Sequence, residues 1–362
     1  MKNYRRFCRI VMLVIVALVL YNGVVWNLFT RSILTREQGW YTGDLARMGY
    51  LSGHTQPRRN TIDLPRRHVE MTSFQGGVFD VVTVGDSFSQ GGASGLNRYY
   101  QDYLATSHDV EVLNIPRYPD AANFMEQVAI LLNSGFLDQV RARYLILETA
   151  ERNCYRYGGT IDMSRSDPLD VVLAAYRKER TLGHEPDEDG PAALPQVGFI
   201  NSGNLKWLLY NALYPFSDNA FFAKTYKVPL ETSLFSGPRG NSLLYLNKDV
   251  RNLSRYDAAT LARVNENLNR LAVLLRQRGI ELYFMPAVDK SNLYRPYVKG
   301  ERYPESQFFE VFRTFDKDYR FIDTKAILAE ELEKGEQDIF YLDDTHWSWK
   351  ASLAISQTIA FH

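Results

Sequence analysis

The 362-residue chain predicts an α/β protein, a doubly wound and mostly parallel sheet flanked by helices, with an N-terminal transmembrane helix and an inserted subdomain. Three observations predict it. Apolar strand-like runs alternate with helix-like stretches from about residue 78 to the C-terminus. A near-continuous apolar run fills residues 10–29. Between about residues 164 and 241 the alternation lapses into an acidic loop and an aromatic stretch.

The apolar run is the first element. About twenty such residues span a bilayer, and only Asn22, Gly23 and Asn27, with the interfacial types Tyr21 and Trp26, interrupt it. Lys2, Arg5, Arg6 and Arg9 precede it, whereas only Arg31 and Arg36 follow closely. The positive-inside bias therefore puts residues 1–9 in the cytoplasm and the body of the chain in the periplasm or outside the cell. No small-x-small cleavage site follows, which favours an uncleaved anchor over a removed signal peptide.

Residues 30–75 are polar and basic, with Pro57-Arg58-Arg59 and Pro65-Arg66-Arg67, and read as a stalk or arm whose basic pairs face solvent or anionic headgroups. Residues 76–362 form the domain. Strands are expected at Val78 to Val84, Val110 to Asn114, Tyr144 to Glu148, Glu281 to Pro286 and Tyr319 to Ile322. Helices are expected at Ala121 to Asn133, Asp257 to Arg278, Thr324 to Lys334 and Trp347 to Ala360. In the second helix Leu261, Val264, Leu268, Leu271 and Leu275 keep a 3.6-residue stripe and Gly279 ends it. Within the insertion, Trp207, Tyr210, Tyr214, Phe216, Phe221 and Phe222 form either local core or a lid against a glycan or membrane partner.

Two segments far apart carry chemistry. Val81-Val82-Thr83-Val84-Gly85-Asp86-Ser87 sets a serine at the carboxyl end of a strand, the usual ligand edge of such a sheet. Asp343-Asp344-Thr345-His346-Trp347 supplies a base near the C-terminus. A serine hydroxyl needs a base to take its proton, and histidine, with a pKa near ambient pH, is the usual one. The imidazole in turn needs an acceptor on its other nitrogen, which Asp343 or Asp344 can provide. Isolated Gly-Asp-Ser strings and lone histidines are commonly structural; their conjunction on an α/β pattern points to acyl transfer.

Gly85-Asp86-Ser87 together with the terminal aspartate-histidine element resembles the SGNH/GDSL hydrolase superfamily. Asp344-Thr345-His346-Trp347 resembles the D-x-H-W signature of alginate O-acetyltransferase-like proteins, and Asp343 through His346 followed by Trp349 resembles the D-x-x-H of the D-alanine transfer proteins. The resemblance implies an acyl-serine intermediate on Ser87, with His346 as base and then acid, and Asp344, or next Asp343, as its orienter. It further implies an acceptor that is a polysaccharide, a teichoic acid or water, no metal or organic cofactor, and a membrane-bound O-acyltransferase partner as acyl donor. A glycan esterase and a non-catalytic subunit of an acylation complex are the alternatives.

The chain departs from the pattern. Alginate-type enzymes place the aspartate-histidine element before the serine, and here it follows. The expected oxyanion glycine is missing from Val112 to Tyr118, leaving Asn153 in the next strand end, where Arg152 and Glu151 are equally an ion pair. Asp86, Phe88 and Trp347 flank the reacting residues, and Lys290 resembles the P-x-K lysine beside the alginate-type site, well placed for an acidic sugar.

Composition excludes other classes. Lys and Arg number 42 against 42 Asp and Glu, so no basic field for nucleic acid exists. Cys8 and Cys154 fall on opposite sides of the bilayer, and His54, His68, His108 and His184 form no i, i+4 pair. His184 reads as solvated loop.

Overall fold

The structure, a computed structural model, describes residues 2–35, 42–181, 197–300 and 303–361. The acidic loop Glu185 to Pro191 and His184 lie outside them. Helix α1 (Lys2–Val25) carries the apolar run and continues through a π-helical turn, Trp26–Thr30. Nearly all of its apolar side chains are exposed, and it is the one helix among the described residues long and apolar enough to cross a membrane.

Beyond it, six strands form a parallel sheet in the order β1-β3-β2-β4-β7-β8: β1 (Val69–Glu70), β2 (Val81–Val84), β3 (Val112–Ile115), β4 (Tyr144–Ala150), β7 (Glu281–Ala287) and β8 (Arg320–Phe321). β5 (Thr225–Pro229) and β6 (Ser242–Leu246) pair separately as an antiparallel hairpin. The mixed α/β architecture is the expected one. All side chains of β2, β3 and β4 are buried because helices cover both faces, which explains their unbroken apolar character.

The helices that matter here are α2 (Asp44–Gly49), α3 (Tyr100–His108), α4 (Phe124–Asn133), α5 (Leu169–Thr181), α6 (Ser202–Leu213), α7 (Ala258–Arg276), α8 (Thr324–Glu333) and α9 (Trp349–Thr358). α9 packs with both α3 and α8, and α4 packs with α7. The leucine stripe of α7 is buried as its period requires. Asp257 caps its start by accepting from the Thr260 N–H at 2.6 Å, and Gly279 follows its end at φ +74°.

Connections leave β2 toward β3 on one side and β4 toward β7 on the other. The carboxyl ends of β2 and β4 therefore flank the crevice where a doubly wound sheet binds its ligand.

Residues 42–75 of the segment read as a stalk are instead a strap across the domain. Leu45, Leu51, Leu64 and Met71 enter the core. Three of its arginines have acid partners: Arg58, whose side chain is buried, pairs with Asp343 and Asp344, Arg66 with Asp109 and Glu111, and Arg67 with Asp102, while Arg59 and Arg67 keep exposed surface as expected. Composition shows charge but not its partner, so an inward-facing basic strap and a solvated stalk look alike.

Candidate active site

Gly85 ends β2, and it must be glycine: a Cβ there would stand 2.2 Å from Ser89 Oγ and 2.4 Å from Glu148 Oε2. Those atoms form the brace beneath the serine turn. Glu148 Oε2 accepts the Asp86 N–H at 3.0 Å, the Ser89 N–H at 3.2 Å and the Ser89 hydroxyl at 2.8 Å. Burial, then the neighbouring charge of Asp86, pushes the Glu148 carboxyl well above the ordinary range. Asp86 completes the brace by accepting from the Phe88 and Ala150 N–H groups at 3.2 and 2.9 Å, tying the end of β2 to that of β4. Its carboxylate is therefore a strut between strands.

Ser87 is exposed, and its hydroxyl lies 2.7 Å from His346 Nε2. His346 Nδ1 lies 2.6 Å from Asp344 Oδ1, which also accepts the His346 backbone N–H at 3.0 Å. Residues 259 positions apart thus share a hydrogen-bonded line from hydroxyl to imidazole to carboxylate. Burial pulls the imidazole pKa down, but the Asp344 charge and hydrogen bond, and then Asp44, more than reverse this, leaving it raised. Burial raises the Asp344 carboxyl, yet His346 and Arg58 overcome it and hold it below the usual range.

The two aspartates divide the work. Asp343 faces away from the imidazole: its Oδ1 takes Arg58 at 2.6 Å and its Oδ2 takes the Gly43 and Gln56 N–H groups at 2.9 and 3.2 Å. Arg58 also reaches Asp344 Oδ2 at 3.1 Å. Asp44, at the start of α2, holds Thr345 through its N–H and hydroxyl at 2.8 and 2.6 Å. The strap thereby grips the aspartate-histidine loop from outside. Gly43 must be glycine for that approach, because a Cβ there would meet the Asp343 carbonyl oxygen at 2.2 Å.

Lys290 grips the same loop from within. It is almost fully buried, and its ammonium donates to the carbonyls of Tyr341, Leu342 and Asp344 at 2.6, 2.8 and 3.1 Å. With all three donors spent on main chain, it positions the loop and is not a contact for an acidic sugar. Burial brings its pKa down to about 7 against the pull of Asp343, Asp344 and Asp44. An antiparallel bridge between Phe340 and Trp347 closes the loop's base. Trp347 is buried under Phe88, whose ring meets it at 4.6 Å and meets the His346 ring edge-on at 4.8 Å. Phe88 is a wall against the imidazole, and Trp347 backs it.

Arg152 and Glu151 do not pair with each other. Arg152 bonds Asp289 at 2.6 Å, and Glu151 accepts from the Asp289 N–H, Asn292 and Ser306. Asn153 is half-buried in the turn after β4, with no hydrogen bond joining it to Ser87 or His346. Among the described residues the Ser87 N–H has no hydrogen-bond partner, which leaves it free to hold an oxyanion. Ligand atoms of Asp44, Asp344 and His346 lie within 4.8 Å of one another, but Thr345 and the imidazole already use the carboxylates.

Sequence reading missed Arg58, Asp44 and Gly92. A Cβ on Gly92 would sit 2.5 Å from His346 Nε2 and 2.8 Å from the Ser87 carbonyl oxygen, which accepts the Gly92 N–H. The Gly91-Gly92 pair after the serine was the available signal.

Residues 242–362 match the family model of the SGNH hydrolase-like domain, acetyltransferase AlgX. This C-terminal part of the chain is similar to an SGNH hydrolase-like domain. The matched span holds Lys290, Asp344 and His346, while Ser87 and the strap precede it. No curated protein matches the chain. That similarity supports an enzyme of the acyltransferase or esterase kind.

Proposed function

We propose that this protein is a membrane-anchored, extracytoplasmic serine acyltransferase that O-acetylates a cell-envelope or exported polysaccharide. The observation that carries the reading is the line of two short hydrogen bonds from Ser87 through His346 to Asp344.

His346 Nε2 takes the Ser87 proton as Oγ attacks the carbonyl of an acyl donor, and the Ser87 N–H faces the developing oxyanion. The imidazolium, stabilised by Asp344, returns the proton to the leaving group, and an acetyl-serine remains. A sugar hydroxyl then gives its proton to His346, attacks the ester, and departs acetylated as Oγ is reprotonated. Acetyl donors are cytoplasmic, so the donor side falls to a membrane-bound O-acyltransferase partner. α1 is the anchor, N-terminus inside, that keeps the domain beside that partner.

The decisive assay follows acetyl flow from an activated acetyl ester with and without envelope polysaccharide fragments. Acetylated fragments, formed at the expense of free acetate, are expected. Acetate release undiminished by acceptor, with no acetylated fragment, would make the protein an esterase.

A further inference from the structure

α6 is amphipathic in the inverted sense. Its inner positions, Gly203, Asn204, Trp207, Tyr210 and Asn211, pack against the anchor and strap: Trp207 stacks on Phe29 at 4.1 Å, Tyr210 meets Tyr50 edge-on, and Asn211 donates to the Tyr50 carbonyl. Apart from Ser202 and Lys206, the outward positions are apolar. Leu205, Leu208 and Leu209 are 64, 47 and 45 % exposed, and Phe216 in the turn beyond is 79 % exposed. Phe199 and Ile200 before the helix are exposed as well. A solvent-facing helix in water carries its polar residues on that side.

The turn after α6 strengthens the pattern. Ala220 and Phe221 stand at φ +50° and +66°, a region costly for a bulky aromatic, and Phe221 is 64 % exposed. The backbone is held in an unfavourable conformation at a place where a large apolar ring points outward.

Asn204 fixes where this face lies. Fully buried, it accepts the Tyr21 hydroxyl on its carbonyl at 2.7 Å and the Thr30 hydroxyl on its side chain at 2.5 Å, and it donates to the Asn22 side chain at 2.8 Å. Tyr21 and Asn22 lie inside the apolar run, about two turns before its end. Two polar interruptions of the anchor, Tyr21 and Asn22, therefore find partners on α6, and the start of α6 is level with the last turns of the membrane helix. Phe199 through Phe216 contains one charged residue, Lys206, and no acid.

We infer that the outer face of α6 and the Phe221 turn form a second membrane contact, seated in the interfacial layer of the bilayer beside the anchor. It is a monotopic foot of the kind in which an apolar face enters the acyl boundary. Lysines at its rim, Lys206 and the exposed Lys224, meet the headgroups. Two attachments prevent the domain from swivelling about a single helix. The inference rests on the anchor reading and is independent of the chemistry at Ser87.

The test uses the full chain in phospholipid vesicles, with Cys8→Ser as background, in which the remaining Cys154 is fully buried, and one accessible cysteine introduced by Leu209→Cys or Phe216→Cys. Leu96→Cys and Val273→Cys, both exposed elsewhere, serve as controls. With an environment-sensitive label, the α6 positions should shift to the blue and be quenched by spin-labelled lipid several-fold more than the controls. Quenching equal to the controls, while the protein resists alkaline extraction, overturns the foot and leaves the anchor standing; loss of the protein on extraction overturns both. In native membranes a photocrosslinker at position 209 should capture phospholipid, and capture of a protein in place of lipid would overturn the inference in favour of protein docking.

Discussion

At the scale of residues, the two adjacent aspartates separate orientation from attachment. Asp344→Asn keeps the shape of the site but presents an amide to His346 Nδ1 and disfavours the required tautomer; we expect kcat for an activated ester to fall by about 10⁴-fold with little change in melting temperature. Asp343→Asn should behave in the opposite way. It leaves Arg58 partly uncompensated and weakens the hold on the Gly43 and Gln56 N–H groups, so it should cost about 3 kcal/mol of stability and much less in kcat. Denaturant unfolding and steady-state kinetics on the two variants check the assignment. The serine, the histidine and the pair of aspartates were legible in the sequence because each is a reactive type in a short motif. The division between the aspartates was not, since it depends on Arg58, which reaches them from 285 positions away. Lys290 misled for a related reason: a lysine after a strand reads as a ligand-facing cation, and only the three carbonyls around it reveal a loop brace.

At the scale of elements, the site is a clasp between the turn after β2 and the loop between Phe340 and Trp347. Gly92 is where the two surfaces touch. Gly92→Ala places a methyl against both the imidazole and the Ser87 carbonyl, neither of which can move without breaking the 2.7 Å contact. Activity should drop by at least about 100-fold, as expected of a displacement near 1 Å at reacting atoms, while the far-ultraviolet circular dichroism stays that of the parent. Strands and helices with strong periodicity, such as α7, were legible because burial imposes the period. α3 was not anticipated, because its inward residues include Gln101 and Asp102, which serve buried hydrogen bonds to Asn114 and His68 and so break the apolar pattern. α6 escaped because its leucines face outward while its inward positions include Gly203, Asn204 and Asn211, so the apolar stripe does not mark the buried face.

At the scale of the whole molecule, the strap links the N-terminal apolar helix to the aspartate-histidine loop, and its attachment should depend on pH. His68 sits between Asp102 on α3 and Glu70 on β1, at 2.7 and 2.8 Å. Burial opposes its charge, but the two acids prevail and carry its pKa up to about 9. A folded pKa above the unfolded value of about 6.5 contributes stability that is complete below that lower value and is lost as pH rises through about 9. The melting temperature should therefore fall more steeply between pH 7 and 9.5 in the parent than in His68→Gln, and parallel profiles would refute the role. The doubly wound sheet was legible from the alternation of elements. The strap was not, because a chain wrapped over a domain by ion pairs has the composition of a linker.

Acyl transfer at Ser87 requires one proton-sharing contact between Ser87 and His346, and intact-protein mass spectrometry after reaction with a fluorophosphonate tests it most directly. The parent should gain one phosphonyl group, mapped to Ser87; Ser87→Ala should gain none, and His346→Ala should react at least about 100-fold more slowly. Labelling of the parent at another residue, or a His346→Ala rate equal to that of the parent, would contradict it.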